Sequence, residues 1–275
     1  MNEAASVVLV VPEPSSKQRG VGRYVSVARR SAAPLAVIVA WWVSTSVGWV
    51  DPSVLPSPRS VAKAFVLLLT QDHLLYQLGV SLTRALCGAL IGISAGLILG
   101  LVAGLWRLGE ELYDTILQML RTIPFLALVP LFIVWLGIGE VPKLLLIALA
   151  TIFPMYLNIY SGVRNVDPKL IEAMRSFGLT GGRLIWEVII PMTLPSLFTG
   201  LRYSLGISVL VLIAAEQINA SAGLGYLLNN AQLYQQVDVI LICIAIYALL
   251  GLLADLSVRF LEHYFMPWQT VSIAR

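Results

Sequence analysis

Six apolar runs dominate this sequence, at residues 33–50, 80–106, 115–137, 143–162, 189–215 and 238–260. Each approaches the ~20 residues that a helix needs to cross the hydrocarbon core of a bilayer. Inside lipid every backbone N–H and C=O must be satisfied within the protein, so such runs become helices. The rest of the composition agrees: of 275 residues, 58% are hydrophobic and only 12% are charged, about half the charge of an ordinary soluble domain. The expected fold class is therefore an all-α polytopic membrane protein with about six transmembrane helices. The first run is short, and Trp41, Trp42 and Trp49 suit it as interfacial anchors. The expected organisation is a largely disordered tail at 1–31, a transmembrane domain at 32–265 and a short tail at 266–275.

Lysine and arginine set the orientation. With a cytoplasmic N-terminus, 12 of the 18 basic residues fall in inside segments. Only Arg59, Lys63 and Lys143 fall outside, and Arg84, Arg121 and Arg202 lie in or near spans. That is a positive-inside bias, which places both termini in the cytoplasm. A net charge of +3 is too small to suggest nucleic acid. Cys87 and Cys243 lie inside apolar runs, and His73 and His263 are far apart, so neither a disulfide framework nor a metal site is expected.

The second run carries glycine at every fourth position: Gly88, Gly92, Gly96, Gly100 and Gly104. In water each would weaken a helix by ~1 kcal/mol relative to alanine. In lipid, small residues at this spacing let another helix approach closely. The neighbour is either another span of the same chain or a second subunit, and neither reading involves chemistry.

Between the fourth and fifth runs lies a charged insert, "IEAMRSFGLTGGRLIWEVIIP", residues 171–191. Asp167 suits an N-cap and Pro168 the first turn of a helix. Leu170, Ala173, Met174 and Phe177 fall on one helical face. Gly178 offers a left-handed cap that turns the chain. Thr180 is then placed to cap a second short helix with a Leu184, Ile185 and Val188 stripe. The result is a cytoplasmic elbow, read either as a docking device or as a helix pair resting on lipid headgroups.

Spacing favours docking. Glu172-Ala173-Met174, then Gly178, then Val188-Ile189-Ile190-Pro191 resembles the EAA signature of ABC-importer membrane subunits, with apolar replacements at Met174, Val188 and Ile190. The resemblance implies that the first helix is a coupling helix, with Glu172, Ala173, Met174 and Gly178 forming the docking elbow and Pro191 beginning the fifth span. Further stretches, "QMLRTIPFLALVPLFIVWLGIGE" at 118–140, "SGVRNVD" at 161–167 and "AGLGYLLNNA" at 222–231, resemble the alkanesulfonate, taurine and nitrate branch, its alkanesulfonate permeases above all. This implies a type I importer permease in a bacterial inner membrane. Its partners would be a second copy, two ATP-binding subunits, an extracytoplasmic solute-binding protein and membrane lipid. ATP and Mg would sit in the partner ATPase, and this chain would hold no cofactor. "LTGGR" at 179–183 resembles an ATPase signature, but the sequence has no Gly-Lys pair and so no phosphate loop.

Residues on the translocation path are expected among intramembrane ionisable groups. Arg121 stands out because Pro124 and Pro130 follow it and should break the third span. An arginine there would attract a sulfonate by charge-assisted hydrogen bonds, or else pair structurally or snorkel to the interface. Arg84 and Arg202 are read as intersubunit or headgroup contacts ahead of pathway groups. Glu216, Asn219 and Asn229 are read as outer-side residues for gating or for docking the binding protein. Alternative readings are a related importer of taurine, nitrate or another small solute, and a secondary transporter. The latter would more often show inverted repeats, and no six-span duplication is visible.

Overall fold

The computed structural model describes residues 32, 35–71, 73–217 and 220–267. The tail at 1–31, most of the tail at 266–275 and Asn219 lie outside the described residues. The chain divides into two compact units, residues 1–60 and 61–275.

In the first unit the described part of the first apolar run is helix α1, Leu35–Ser46. The hydroxyls of Ser44, Thr45 and Ser46 donate to carbonyls of Trp41 and Trp42. The helix ends where Gly48 takes a φ of +76°. Helix α2, Pro58–Thr70, carries the chain across the division.

The second unit is built on α3 (Leu74–Leu105) and α7 (Glu140–Arg164). The glycine seam of α3 lies directly on α7. A Cβ added to Gly88 would sit 2.7 Å from the Ile147 Cβ, and one on Gly100 2.8 Å from the Ile159 Cβ. One on Gly104 would sit 2.7 Å from the Val163 Cβ, while Gly92 would overlap Thr151 and Gly96 would overlap Ile152 and Met155. Of the two neighbours considered for this seam, the one in contact is a span of the same chain. The residue numbers rise together along both helices, so α3 and α7 run parallel. The segment between them must therefore return across the bundle.

That return is broken. A short helix α4 (Arg107–Gly109) leads into a π-helical turn at Glu110–Asp114. Helices α5 (Thr115–Arg121) and α6 (Phe125–Leu136) follow, separated by residues 122–124. Proline at 124 lacks an N–H and takes ψ 120°, outside helical space. Pro130 does not break the run; it lies within α6. The expected single third span is thus two helices.

Helix α8 (Pro168–Ser176) is followed by α9 (Gly181–Leu184), a π-helical turn (Ile185–Ile189) and α10 (Ile190–Gln217). The last three form one continuous helix of 37 residues, Gly181–Gln217. Helix α10 runs antiparallel to α7: Gly162 faces Ser196, Gly200 faces Asn158, and the Ser204 hydroxyl donates to the Thr151 carbonyl at 3.0 Å. Helix α11 (Leu224–Leu233) leads to α12 (Val237–Phe265). Among the described residues, four helices are long and apolar enough to cross a membrane: Leu74–Leu105, Glu140–Arg164, Gly181–Gln217 and Val237–Phe265. Leu35–Ser46 and Ala127–Leu136 are shorter apolar helices, so the six expected runs resolve into four long helices and two short ones.

Candidate functional site

The elbow is held by its own backbone. The Asp167 carboxylate accepts from the Lys169 N–H at 2.9 Å, and Pro168 occupies the first turn of α8. At the other end Gly178 takes a φ of +86°. Its N–H donates to the Arg175 carbonyl at 2.9 Å, and the Leu179 N–H donates to the Met174 carbonyl at 3.1 Å. This pair of bonds is the Schellman cap that a left-handed glycine permits. No residue of α8 is buried, and Glu172, Ala173 and Gly178 are exposed. Phe177 is 82% exposed and Trp186 73% exposed, so large apolar surface lies open beside the turn. Leu184 and Val188 are buried and tie the second arm to the bundle.

The second arm differs from expectation in one respect. Thr180 occupies the N-cap position, but its side chain makes no cap hydrogen bond. Pro191 is the second residue of α10, and the helical run continues back from it to Gly181. A proline ring clashes with the carbonyl four residues back in a regular α-helix. Here the preceding turn widens to π geometry, in which the Ile190 N–H reaches the Ile185 carbonyl, so the helix passes through.

At the opposite end of the bundle lies a buried ionic cluster. Arg84 on α3 donates from Nη1 to Glu216 Oε1 at 2.7 Å and to the Ala222 carbonyl at 2.5 Å. Its Nε and Nη2 grip the Glu140 carboxylate at 2.5 and 2.6 Å. Lys143 reaches Glu140 at 3.1 Å. The Ser81 hydroxyl lies 2.8 and 2.7 Å from the two Glu216 oxygens and accepts from the Leu224 N–H at 2.7 Å. The Gly225 N–H donates to Glu216 Oε2 at 2.9 Å, and the Tyr247 hydroxyl stands 3.4 Å from the same oxygen. Glu216 is 1% exposed and Arg84 5% exposed. A buried charge is tolerable only when paired and hydrogen-bonded, and every partner needed is present.

At the elbow end, Glu110 of the π-helical turn accepts from the Tyr160 hydroxyl at 2.5 Å and pairs with Arg164. Four residues on, Asp114 accepts from Tyr156 at 2.6 Å. The Tyr160 hydrogen bond first, and then Arg164, hold the Glu110 carboxyl below its ordinary range. Arg121 ends α5 and is exposed, with no hydrogen-bond or ion-pair partner among the described residues.

The sequence over residues 92–265 matches the family described as "Binding-protein-dependent transport system inner membrane component". This chain belongs to that family. It is 48% identical to the aliphatic sulfonates transport permease protein SsuC of Escherichia coli, over 86% of this chain and 89% of the relative. It is 34% identical to the taurine transport system permease protein TauC of the same organism, over 86% of this chain and 89% of TauC. Among solved structures it is similar to the methionine ABC transporter MetNI in an inward facing conformation, at 20% identity and a TM-score of 0.49, over 72% of this chain and 97% of that one. The permease is thus a membrane-embedded transport component, as the sequence suggested.

Two intramembrane arginines of this permease form ion pairs within the chain. Arg84 pairs within its own chain, with Glu216 and Glu140. Arg202 pairs with Asp255 at 3.2 Å and Glu262 at 2.5 Å on α12. The sequence missed the Arg84–Glu216 pair because 132 residues separate the partners. A signal was present nonetheless: opposite charges at the same end of two apolar runs, with Gly223 and Gly225 just beyond. A Cβ on either glycine would overlap Glu216.

Proposed function

We propose that two copies of this permease frame an import pathway for a small sulfonate-type anion, driven by two ATP-binding subunits docked on the α8 elbow. A solute-binding protein would deliver the anion on the outer side. Both termini would be cytoplasmic, by the distribution of lysine and arginine. The observation that carries the docking reading is the elbow itself. It is an amphipathic helix with no buried residue, fixed in direction by caps at both ends, with exposed Phe177 and Trp186 alongside. Resting on headgroups would not require the backbone to be set so sharply at Gly178. A partner cleft would, because a rigid insert can push only if its angle is defined.

Glu172, Ala173, Met174 and Gly178 would form the docked surface. Pro191 acts one step removed, through the π-helical turn that joins the elbow to α10. Hydrolysis of ATP-Mg would occur in the partner, and this chain would supply lever and path. On the path, Arg121 has no ion-pair partner among the described residues and stands near the Pro124 break, where an anion would be drawn. Glu216, with its carboxylate enclosed, would support the wall of the path. Sulfonate as the substrate class rests on the similarity to SsuC, and taurine is the second reading because of TauC.

The test is uptake into vesicles holding the permease with its ATPase and binding protein. Alkanesulfonate uptake that needs ATP and is lost in Arg121→Ala, with the ATPase still copurifying, is the expected result. Uptake of nitrate or taurine in preference would revise the substrate. A permease that never copurifies an ATPase would sink the coupling reading.

A further inference from the structure

The elbow and the buried cluster lie at the two ends of one helix. From Gly181 to Gln217 the helix is unbroken through 37 residues, about 55 Å at 1.5 Å per residue. Its inner end leaves the elbow two residues after Leu179. One residue before its outer end stands Glu216.

What Glu216 holds is the turn that follows. Its Oε2 accepts the Gly225 N–H, and the Ser81 hydroxyl bridges its carboxylate to the Leu224 N–H. Arg84 donates from one nitrogen both to Glu216 and to the Ala222 carbonyl. Gln77 accepts from the Gly223 N–H at 2.6 Å. Ala222, Leu224 and Gly225 are therefore bonded to Glu216 or to the groups on α3 that grip it, and Gly223 is bonded to Gln77 of the same helix. Gly223, at φ +117°, and Gly225 leave no room for a side chain against that carboxylate. The same turn borders an open cleft of about 560 Å³ lined by Arg84, Glu140, Ser221 and Ala222.

We propose that Glu216 is the outer positioning residue of the import cycle: it ties residues 222–225 to the helix that the coupling elbow moves. The inference rests on the coupling reading above. Apolar side chains would hold a turn as well as a buried ionic set does. Charge-assisted bonds fix one direction and distance between the helix end and the turn. When the elbow shifts the helix, the turn and the mouth of the cleft shift with it.

The experiment uses the assembled importer in vesicles, with Cys87→Ser removing the exposed thiol and Ser221→Cys placing a reporter at the exposed lip; Cys243 is buried. A membrane-impermeant maleimide reads the labelling rate without nucleotide and after trapping with ATP and vanadate. With Glu216 present the two rates are expected to differ. In Glu216→Gln the ATPase is expected to copurify as before and the two rates to become equal. Where Glu216→Gln fails to insert, Ser81→Ala gives the same reading, because it cuts the bridge from Glu216 to Leu224 and leaves the ion pair. A rate difference that persists in the variant overturns the proposal, as does equality in the chain that retains Glu216. Gly178→Val separates the two ideas. If it leaves the rate difference intact, the coupling reading fails. If it abolishes the difference while Glu216→Gln does not, only the positioning role fails.

Discussion

The two ends of the bundle solve opposite problems. At the Glu216 end, two acids and two bases close on one another, and the turn at 222–225 is bonded into them. At the elbow end, α8 buries nothing and is held by Asp167 at one terminus and the Gly178 turn at the other. The first arrangement draws its order from burial, the second from local backbone chemistry. A surface that must accept a partner cannot also be filled by its own chain. The elbow keeps Phe177 and Trp186 exposed and takes its rigidity from caps, whereas the Arg84–Glu216 pair is enclosed as in a core.

The largest expected effect comes from breaking the Arg84–Glu216 pair. Glu216→Ala leaves Arg84 with Glu140 alone and strips the Ser81 hydroxyl and the Gly225 N–H of their acceptor. Removing one partner of a buried pair costs about 3–5 kcal/mol, and the remaining Glu140 places this case at about 3. The expected readout is a clear fall in the thermal midpoint of the purified permease in detergent. An unchanged midpoint would mean that the cluster is no tighter than the elbow.

Gly178→Val is expected to do the reverse. No atom lies within 4 Å of an added Cβ, so there is no clash, and the penalty is the positive φ alone. That strain is about 1–3 kcal/mol, confined to the turn. The midpoint is expected to hold while copurification of the ATPase and substrate-stimulated ATP turnover are lost. Glu172→Ala, at an exposed side chain with the backbone left in place, is expected to give a milder loss. Asp167→Ala comes next, removing one side-chain bond to the Lys169 N–H. An N-cap of this kind contributes about 1 kcal/mol. Because no residue of α8 is buried, the loss is expected as faster hydrogen exchange across Pro168–Ser176 and weaker docking. Exchange that stays slow would show that something other than the caps holds α8.

Local features were the legible ones. The Gly178 turn, the Asp167 cap, the glycine seam and the interruption at Pro124 each follow from residue type and short spacing. The seam's partner did not, since period four says that a helix approaches and not which one. Pro191 left its surroundings open for a related reason. Its missing N–H predicts an interruption, and only the surrounding chain decides between a stop and a widened turn. Thr180 has the right chemistry for a cap and a backbone position to match, yet its hydroxyl makes no such bond. Arg84 needed knowledge of which spans meet at one end, and that is a property of the packed bundle.

The smallest effect concerns Glu110, which braces the elbow end without being fully buried. The Tyr160 hydroxyl and Arg164 favour its charged form and hold its pKa below the ordinary range. A carboxyl depressed in the folded state contributes stability that is complete above its unfolded value, ordinarily about 4.3. The contribution fades as pH falls through the folded value, because protonation then becomes common to both states. The difference in thermal midpoint between the native permease and Glu110→Gln is therefore expected to be flat from neutral pH down to the ordinary carboxylate range. Below that it is expected to shrink. Its size should be small, because Glu110 is only partly buried, its partner Arg164 is half-exposed and salt screens the pair. Arg84→Gln supplies the contrast, since its buried pair with Glu216 should keep its effect at high salt. If added salt reduced both differences equally, the distinction between the buried Arg84–Glu216 pair and the more open Glu110–Arg164 pair would not stand.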